Sequence, residues 1–115
     1  MESVLLIDDD ASILELVSSF LGQLGYDVKT AHNGEEGIEL LKSGQKFHIV
    51  ITDIRMPKKN GNEVARYIRD AFKPDNIPII AITGFASDIE EDLFDFVLEK
   101  PFKIKDMADV IESLL

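Results

Sequence analysis

FHIVITDIRMPKKNG, residues 47–61, is the stretch whose reading decides the fold. Phe47 to Thr52 is a short, mostly apolar and β-branched run. It has the length of one strand in a parallel sheet covered on both faces, where strict alternation is lost. Asp53 follows directly, at the carboxyl end where open α/β sheets place their ligands. Arg55-Met56-Pro57, two lysines and Asn60-Gly61 then read as a loop that turns back into a helix. The functional question is what a carboxylate does at the end of a buried strand.

Outward from this stretch the same alternation repeats. Val4 to Ile7 is a four-residue apolar run that ends in Asp8, Asp9 and Asp10. Ser12 to Leu24 carries Ile13, Leu16, Val17, Phe20, Leu21 and Leu24 at helical spacing, with Asp10 or Ser12 as cap and Gly25 as stop. Tyr26 to Ala31 is a brief strand. Asn33 and Glu36 have the form of a capping box opening a helix to about Leu41, closed by Gly44. Asn60 to Phe72 supplies the next helix, with Val64, Ile68 and Phe72 on one side, and Lys73-Pro74-Asp75-Asn76 breaks it.

Ile79 to Ile82 is a second near-continuous apolar run, behind Pro78 and ending in Thr83-Gly84. Ser87 to Phe94 is acidic and only loosely helical. Phe96 to Glu99 forms a last strand before Lys100-Pro101-Phe102, and Ile104, Met107, Ala108, Ile111 and Leu115 give the final helix its stripe. Five alternations of β and α, joined by connections of ordinary length, predict one parallel sheet with helices on both faces.

Composition limits the class. At 115 residues the chain holds one core and not two. It has no cysteine, which excludes disulfides, thiol catalysis and thiolate metal sites. The acidic start MESVLLIDDDAS is a poor signal peptide, and no apolar run has the length of a membrane span, so a cytoplasmic address and no membrane role are expected. The net charge of -10, from 22 acidic and 12 basic residues, disfavours direct nucleic-acid binding and suits cations or basic partners.

Four of the five proposed strands end in a residue with chemistry: Asp8 and Asp9, then Asp53, Thr83 and Lys100. A parallel sheet brings all of these ends to one edge. Three carboxylates make a hard oxygen site suited to Mg²⁺. A lysine and a threonine hydroxyl suit a tetrahedral oxyanion such as phosphoryl. Each residue has a plainer reading. The aspartates can form a solvated loop, Asp53 can cap the following turn, Thr83-Gly84 can be a turn, and Lys100 can be an exposed lysine before a proline. Together these plainer readings need four coincidences on one sheet edge. His32 and His48 share no ligand spacing and are expected to be structural, and Lys58 and Lys59 to be a solvated turn.

Along essentially its whole length the chain resembles the receiver domains of two-component response regulators, the single-domain fold of the chemotaxis response regulator. Asp8-Asp9 resembles the family's acidic pair, ITDIRMPKKNG the segment around its phosphoaccepting aspartate, Ile79 to Thr83 the strand ending in a hydroxyl, and Lys100-Pro101-Phe102 the lysine and its proline. The resemblance implies a (βα)5 flavodoxin-like fold of strand order 2-1-3-4-5, with residues 1–115 as one phosphoacceptor domain.

By the same resemblance, Asp9 and Asp53 ligate Mg²⁺ (Mn²⁺ substituting), Asp8 acts mainly through a water, and the Arg55 carbonyl supplies a protein oxygen. Asp53 takes phosphoryl from the phosphohistidine of a histidine kinase or histidine phosphotransfer protein, or from a small donor. Thr83 and Lys100 bind the transferred group, and the result is altered binding of an output protein or fused effector domain. This describes a regulatory phosphoacceptor with autophosphorylation and autodephosphorylation, not a dedicated enzyme. The chain can equally be a stand-alone regulator or part of a hybrid kinase or multidomain regulator.

Two departures from the family are visible. Val97 stands where relatives carry a switching aromatic or histidine, and the neighbouring Phe96 points to the opposite face. The run from Thr83 to Lys100 is also short. Ser87 to Phe94 offers two turns at most against the usual 11 to 12 residues of a helix, so the fourth helix is expected to be shortened or irregular. These departures favour the alternative of a phosphorylation-independent interaction module, against which the intact Asp8, Asp9, Asp53, Thr83 and Lys100 argue. A Mg²⁺-dependent phosphohydrolase is disfavoured, because Ile54 and Arg55, not a second acid-base aspartate, follow Asp53 and no covering insertion is present. Arg55 and Phe85 flank the site and are expected to lengthen the phosphorylated lifetime.

Overall fold

The computed structural model describes residues 1–73 and 75–115. The expected chain break falls partly on Pro74, which lies outside the described residues. The elements run β1 (Ser3–Ile7), α1 (Ala11–Gln23), β2 (Asp27–Ala31), α2 (Gly34–Lys42), β3 (Ile49–Asp53), α3 (Gly61–Ala71), β4 (Ile79–Thr83), β5 (Phe96–Glu99) and α4 (Ile104–Leu114). The five strands are all parallel, in the order β2-β1-β3-β4-β5. This is the predicted order.

Alternating side chains divide the interior into two layers. On one face Val4, Leu6, Ile49, Ile51, Ile80, Ile82 and Leu98 pack with α1 and α4 through Leu14, Val17, Leu21, Met107 and Ile111. On the other, Leu5, Ile7, Val50 and Ile79 pack with α2 and α3 through Ile38, Leu41, Val64, Ala65 and Ile68. Both faces of the central strands are therefore dry, which is why β1, β3 and β4 read as continuous apolar runs.

Local chemistry sets the helix ends. Asp10 caps α1 by accepting the Ser12 amide at 2.9 Å, and Gly25 takes a left-handed φ of 99° just beyond it. The expected Asn33–Glu36 box is only half formed. Asn33 accepts the Glu36 amide, but the Glu36 carboxylate turns to His32 at 3.4 Å. The complete box belongs to α3, where Asn60 and Glu63 exchange bonds of 2.9 and 3.0 Å.

The predicted α1 stripe needs correction. Leu14 is buried in place of Leu16 and Leu24, which are 63% and 53% exposed. The helix seats on the sheet through Leu14, Val17 and Leu21, and Leu16 falls outside that face. Leu115 likewise lies beyond α4 and is exposed. His48 is structural, as expected: its Nδ1 accepts the Ser3 amide at 2.9 Å and its own amide donates to the Ser3 carbonyl at 2.8 Å.

The β4–β5 connection holds no α-helix. It makes two 3₁₀ turns, Ala86–Asp88 and Glu91–Leu93, neither with a buried residue. Polar groups of α3 hold it instead. Asn62 donates to the Asp88 carbonyl at 2.7 Å and accepts the Glu90 amide at 3.1 Å, and Arg66 pairs with Glu90. Arg69 reaches the Leu93 carbonyl, the Ile77 carbonyl and the Asp95 carboxylate. Residues 62, 66 and 69 share one side of a helix, so α3 presents a single polar seam to the segment.

Candidate functional site

The carboxyl ends of β1, β3, β4 and β5 meet at one edge of the sheet, and the register fixes what arrives there. Ile7 pairs with Thr52, Asp53 with Ile82, and Thr83 with Glu99. Asp53 is the last residue of β3 and not the first of the loop, one place further into the sheet than the sequence suggested. Ligand-capable oxygens of Asp8, Asp9 and Asp53 lie within 4.8 Å of one another. Asp8 is fully buried, Asp53 nearly so at 6% exposure, and Asp9 is open to solvent.

Each carboxylate is held. Asp8 Oδ1 accepts the Asp10 amide at 2.9 Å, and Asp53 Oδ1 accepts the Ile54 amide at 2.8 Å. Lys100 Nζ donates to Asp53 Oδ2 at 3.0 Å and approaches Asp8 Oδ2 at 3.4 Å. Burial pushes the Asp8 carboxyl up to about 6, with the Asp53 charge adding to the rise and the Asp10 amide and Lys100 opposing it. Burial alone would lower Lys100, but its bond to Asp53 and the two carboxylate charges outweigh that and raise it.

The backbone after Asp53 turns tightly. The Gly61 amide donates to the Ile54 carbonyl at 2.9 Å, and a Cβ at Gly61 would lie 2.3 Å from the Asp53 carbonyl oxygen. Only glycine lets the start of α3 come this close to the strand end. Thr83 is fully buried; its Oγ1 accepts the Phe85 amide at 2.9 Å, and its carbonyl accepts the Lys100 amide at 2.8 Å. The Lys100–Pro101 bond is cis.

The sheet edge thus brings together Asp8, Asp9, Asp53, Thr83 and Lys100. Arg55 and Phe85 make a separate pair beside them. The Arg55 guanidinium lies 3.6 Å over the Phe85 ring and is ion-paired with Asp88. Its partner is therefore Asp88 and not the carboxylate cluster. Nothing in the sequence pointed to Asp88, which lies 33 positions away on a segment with no clear periodicity. Val97 pairs with Ala81, and Phe96 shares a sheet face with Leu98 while remaining 43% exposed. The register therefore does not bring an aromatic to the Val97 position.

Three carboxylates beside one lysine, two of them buried, leave an excess of negative charge at this edge of the sheet. Hard oxygen donors at this spacing fit a divalent cation of the magnesium type. The Asp8, Asp9 and Asp53 cluster, with the Lys100 ammonium against Asp53 and the Thr83 hydroxyl at the end of the neighbouring strand, is positioned for metal-dependent phosphoacceptor chemistry.

Comparison with known proteins points the same way. Residues 4–112 match the family described as response regulator receiver domain. The chain is 36% identical over 120 residues to a CpxR homologue of Haemophilus influenzae, a transcriptional regulatory protein, covering all of this chain and 51% of that one. It is 30% identical to CpxR of Escherichia coli, again covering all of this chain and 50% of the relative. The chain spans about half the length of these curated relatives.

Among solved structures, the response regulator TrrA of Thermotoga maritima, in complex with Mg²⁺-BeF, superposes with a TM-score of 0.88 at 35% identity, with both chains fully covered. The chemotaxis response regulator CheY4 of Vibrio cholerae superposes with a TM-score of 0.90 at 28% identity, over 100% of this chain and 99% of that one.

Proposed function

The chain belongs to the response regulator receiver domain family, and from that premise we propose that Asp53 accepts a phosphoryl group and that its modification switches the binding of a partner. The observation that carries this reading is the contact of Lys100 Nζ with both Asp53 and Asp8, beside three carboxylates close enough to share a cation. Residues 1–115 act as one phosphoacceptor domain.

Asp53 attacks phosphorus through a carboxylate oxygen. The new Asp53 O–P bond forms as the P–N bond of a donor phosphohistidine, or the P–O bond of a small acyl phosphate, breaks with its electron pair leaving on the donor. The Ile54 amide, donating to Oδ1, orients the carboxylate. Lys100 neutralises charge on the oxygens of the transferring group, and Thr83 turns its hydroxyl from the Phe85 amide toward one of them. Asp8, Asp9 and Asp53, with the Arg55 carbonyl, would hold Mg²⁺ or Mn²⁺, and the ion would supply charge neutralisation there. Hydrolysis of the acyl phosphate resets the domain, and Arg55 and Phe85 beside the site slow that step.

No helix among the described residues is long and apolar enough to cross a membrane. Receiver domains generally work with histidine kinases or phosphotransfer proteins, and such a cytoplasmic donor is the partner proposed for this chain. The output is an effector domain on the same chain or a separate protein.

Intact mass after incubation with acetyl phosphate and Mg²⁺ tests the reading. A phosphoryl adduct is expected on the wild type and not on D53N. The interaction-module alternative rests on Val97 and on the missing helix between β4 and β5. It gains ground if neither acetyl phosphate nor a kinase donor yields an adduct.

A further inference from the structure

We propose that Arg55 and Asp88 form an exchangeable latch. In the resting protein Asp88 holds Arg55, and on phosphorylation of Asp53 the arginine leaves Asp88 for the phosphoryl group, freeing the turn Phe85–Ile89. This deepens, and rests on, the reading of Asp53 as a phosphoacceptor.

The turn is held by few contacts, and most of them lead back to the site. The Phe85 amide bonds to Thr83 Oγ1 at 2.9 Å, the Phe85 ring lies under Arg55 at 3.6 Å, and the Asp88 carboxylate pairs with Arg55. Among the described residues, only the Asn62 bond to the Asp88 carbonyl, at 2.7 Å, holds the turn from outside the site. The turn buries no side chain. Arg55 follows Asp53 by two residues and Thr83 ends the adjacent strand, so a phosphoryl group on Asp53 competes for both anchors at once.

The weakness of the pair favours this role. Arg55 and Asp88 are 58% and 32% exposed, and ion pairs so open to water contribute little. A phosphoryl group carries more charge and more acceptor oxygens than a carboxylate, and arginine binds it in a bidentate fork. An exposed partner is therefore given up easily for a phosphoryl one, as a two-state element requires. Val97, in the position of the usual switching aromatic, has no comparable means of sensing the site.

The second half of the segment has separate anchors. Arg69 binds the Leu93 carbonyl at 2.9 Å and Asp95 at 2.8 Å, the Asp95 amide donates to the Ile79 carbonyl at 2.9 Å, and Arg66 pairs with Glu90. None of these groups adjoins Asp53. Movement is accordingly confined to residues 85–89, and residues 93–95 stay in place as an internal control.

The test is residue-resolved amide hydrogen exchange on the full chain, with and without beryllofluoride and Mg²⁺, in wild type, D88N and D53N. In the wild type, exchange at Phe85, Asp88 and Ile89 should rise about tenfold on adding the mimic while Leu93, Phe94 and Asp95 change less than about twofold. D88N should exchange fast at Asp88 and Ile89 already and respond further only at Phe85, whose bond to Thr83 Oγ1 is intact, and D53N should not respond. Shifts of the Ile54 and Thr83 resonances report that the mimic has bound. Bound mimic with unchanged exchange at 85–89, or with 85–95 loosening as one unit, overturns the latch. Absence of those shifts together with no acetyl-phosphate adduct overturns the phosphoacceptor reading itself, and the latch with it.

Discussion

Lys100 Nζ stands 3.0 Å from Asp53 Oδ2, so the ammonium proposed to grip a transferred phosphoryl group serves, before any transfer, as counter-ion to the Asp53 carboxylate. The lysine side chain is 27% exposed and the side chains of its two aspartate partners 9% and 0%. Contacts this far out of water are screened little.

Replacing Lys100 by methionine removes that counter-ion and leaves the carboxylates facing one another. Without metal at pH 7.5, K100M should lose about 2 kcal/mol, within the range for hydrogen bonds to charged groups. Added Mg²⁺ should restore more stability to K100M than to the wild type, because the cation then meets uncompensated charge. Urea unfolding in EDTA and in Mg²⁺ gives both numbers. Equal midpoints for the two proteins in EDTA would mean that the lysine neutralises nothing.

The Asp8 carboxyl, raised by burial to about 6 from 3.8, predicts a particular pH dependence for the metal-free protein. Between these values the folded chain holds a proton that the unfolded chain has released. Stability from this group therefore falls as pH rises through that window and levels off above about 6. The full effect is on the order of 2–3 kcal/mol. D8N lacks the ionisation, so in EDTA its stability relative to wild type should grow from pH 4.5 to pH 7. A constant difference across that range would contradict the burial argument.

Gly61→Ala tests the turn that delivers Asp53. A Cβ there would meet the Asp53 carbonyl oxygen at 2.3 Å and Ile54 Cδ1 at 2.9 Å. Backbone must shift to admit it, at about 1–3 kcal/mol by the usual magnitude of overpacking. Because the displaced atoms belong to Asp53 and Ile54, the phosphorylation rate should fall together with the unfolding midpoint. Gly22→Ala, in α1 with open space around its Cβ position, should leave both nearly unchanged or slightly improve stability.

How far the sequence could be read depends on whether a feature is local. The buried runs of β1, β3 and β4 and the chemistry at their ends were visible because a doubly covered strand shows an unbroken apolar stretch, and a parallel sheet leaves no choice about which edge its carboxyl ends share. The side of α1 that packs is not legible at Leu16 and Leu24, since a helix with apolar residues on most of its circumference does not declare which of them meets the sheet. Asn33–Glu36 and Asn60–Glu63 share the capping-box spacing, and only the second pair closes, because the Glu36 carboxylate turns to His32. Arg55–Asp88 and the α3 seam were not legible at all. They join residues 24 to 33 positions apart through single polar contacts, which leave no periodicity behind.

That seam gives the last prediction, a contrast between two arginines on the same helix. Arg66 meets Glu90 with both side chains about half exposed, so R66A should cost no more than about 0.5 kcal/mol. Arg69 is 21% exposed and binds the Leu93 and Ile77 carbonyls, Asn76 and Asp95. Asp95 in turn accepts the Ile79 amide at 2.7 Å, at the first residue of β4. R69A therefore strips donors from several acceptors and loosens the entry to a central strand, and should cost about 2–4 kcal/mol. R69A and D95N should be strongly non-additive in a double-mutant cycle, because each removes the other's partner. Urea unfolding of the four proteins measures the coupling. Additive effects would mean that the connection between β4 and β5 is held by something other than Arg69, and that its lack of a helix is compensated elsewhere.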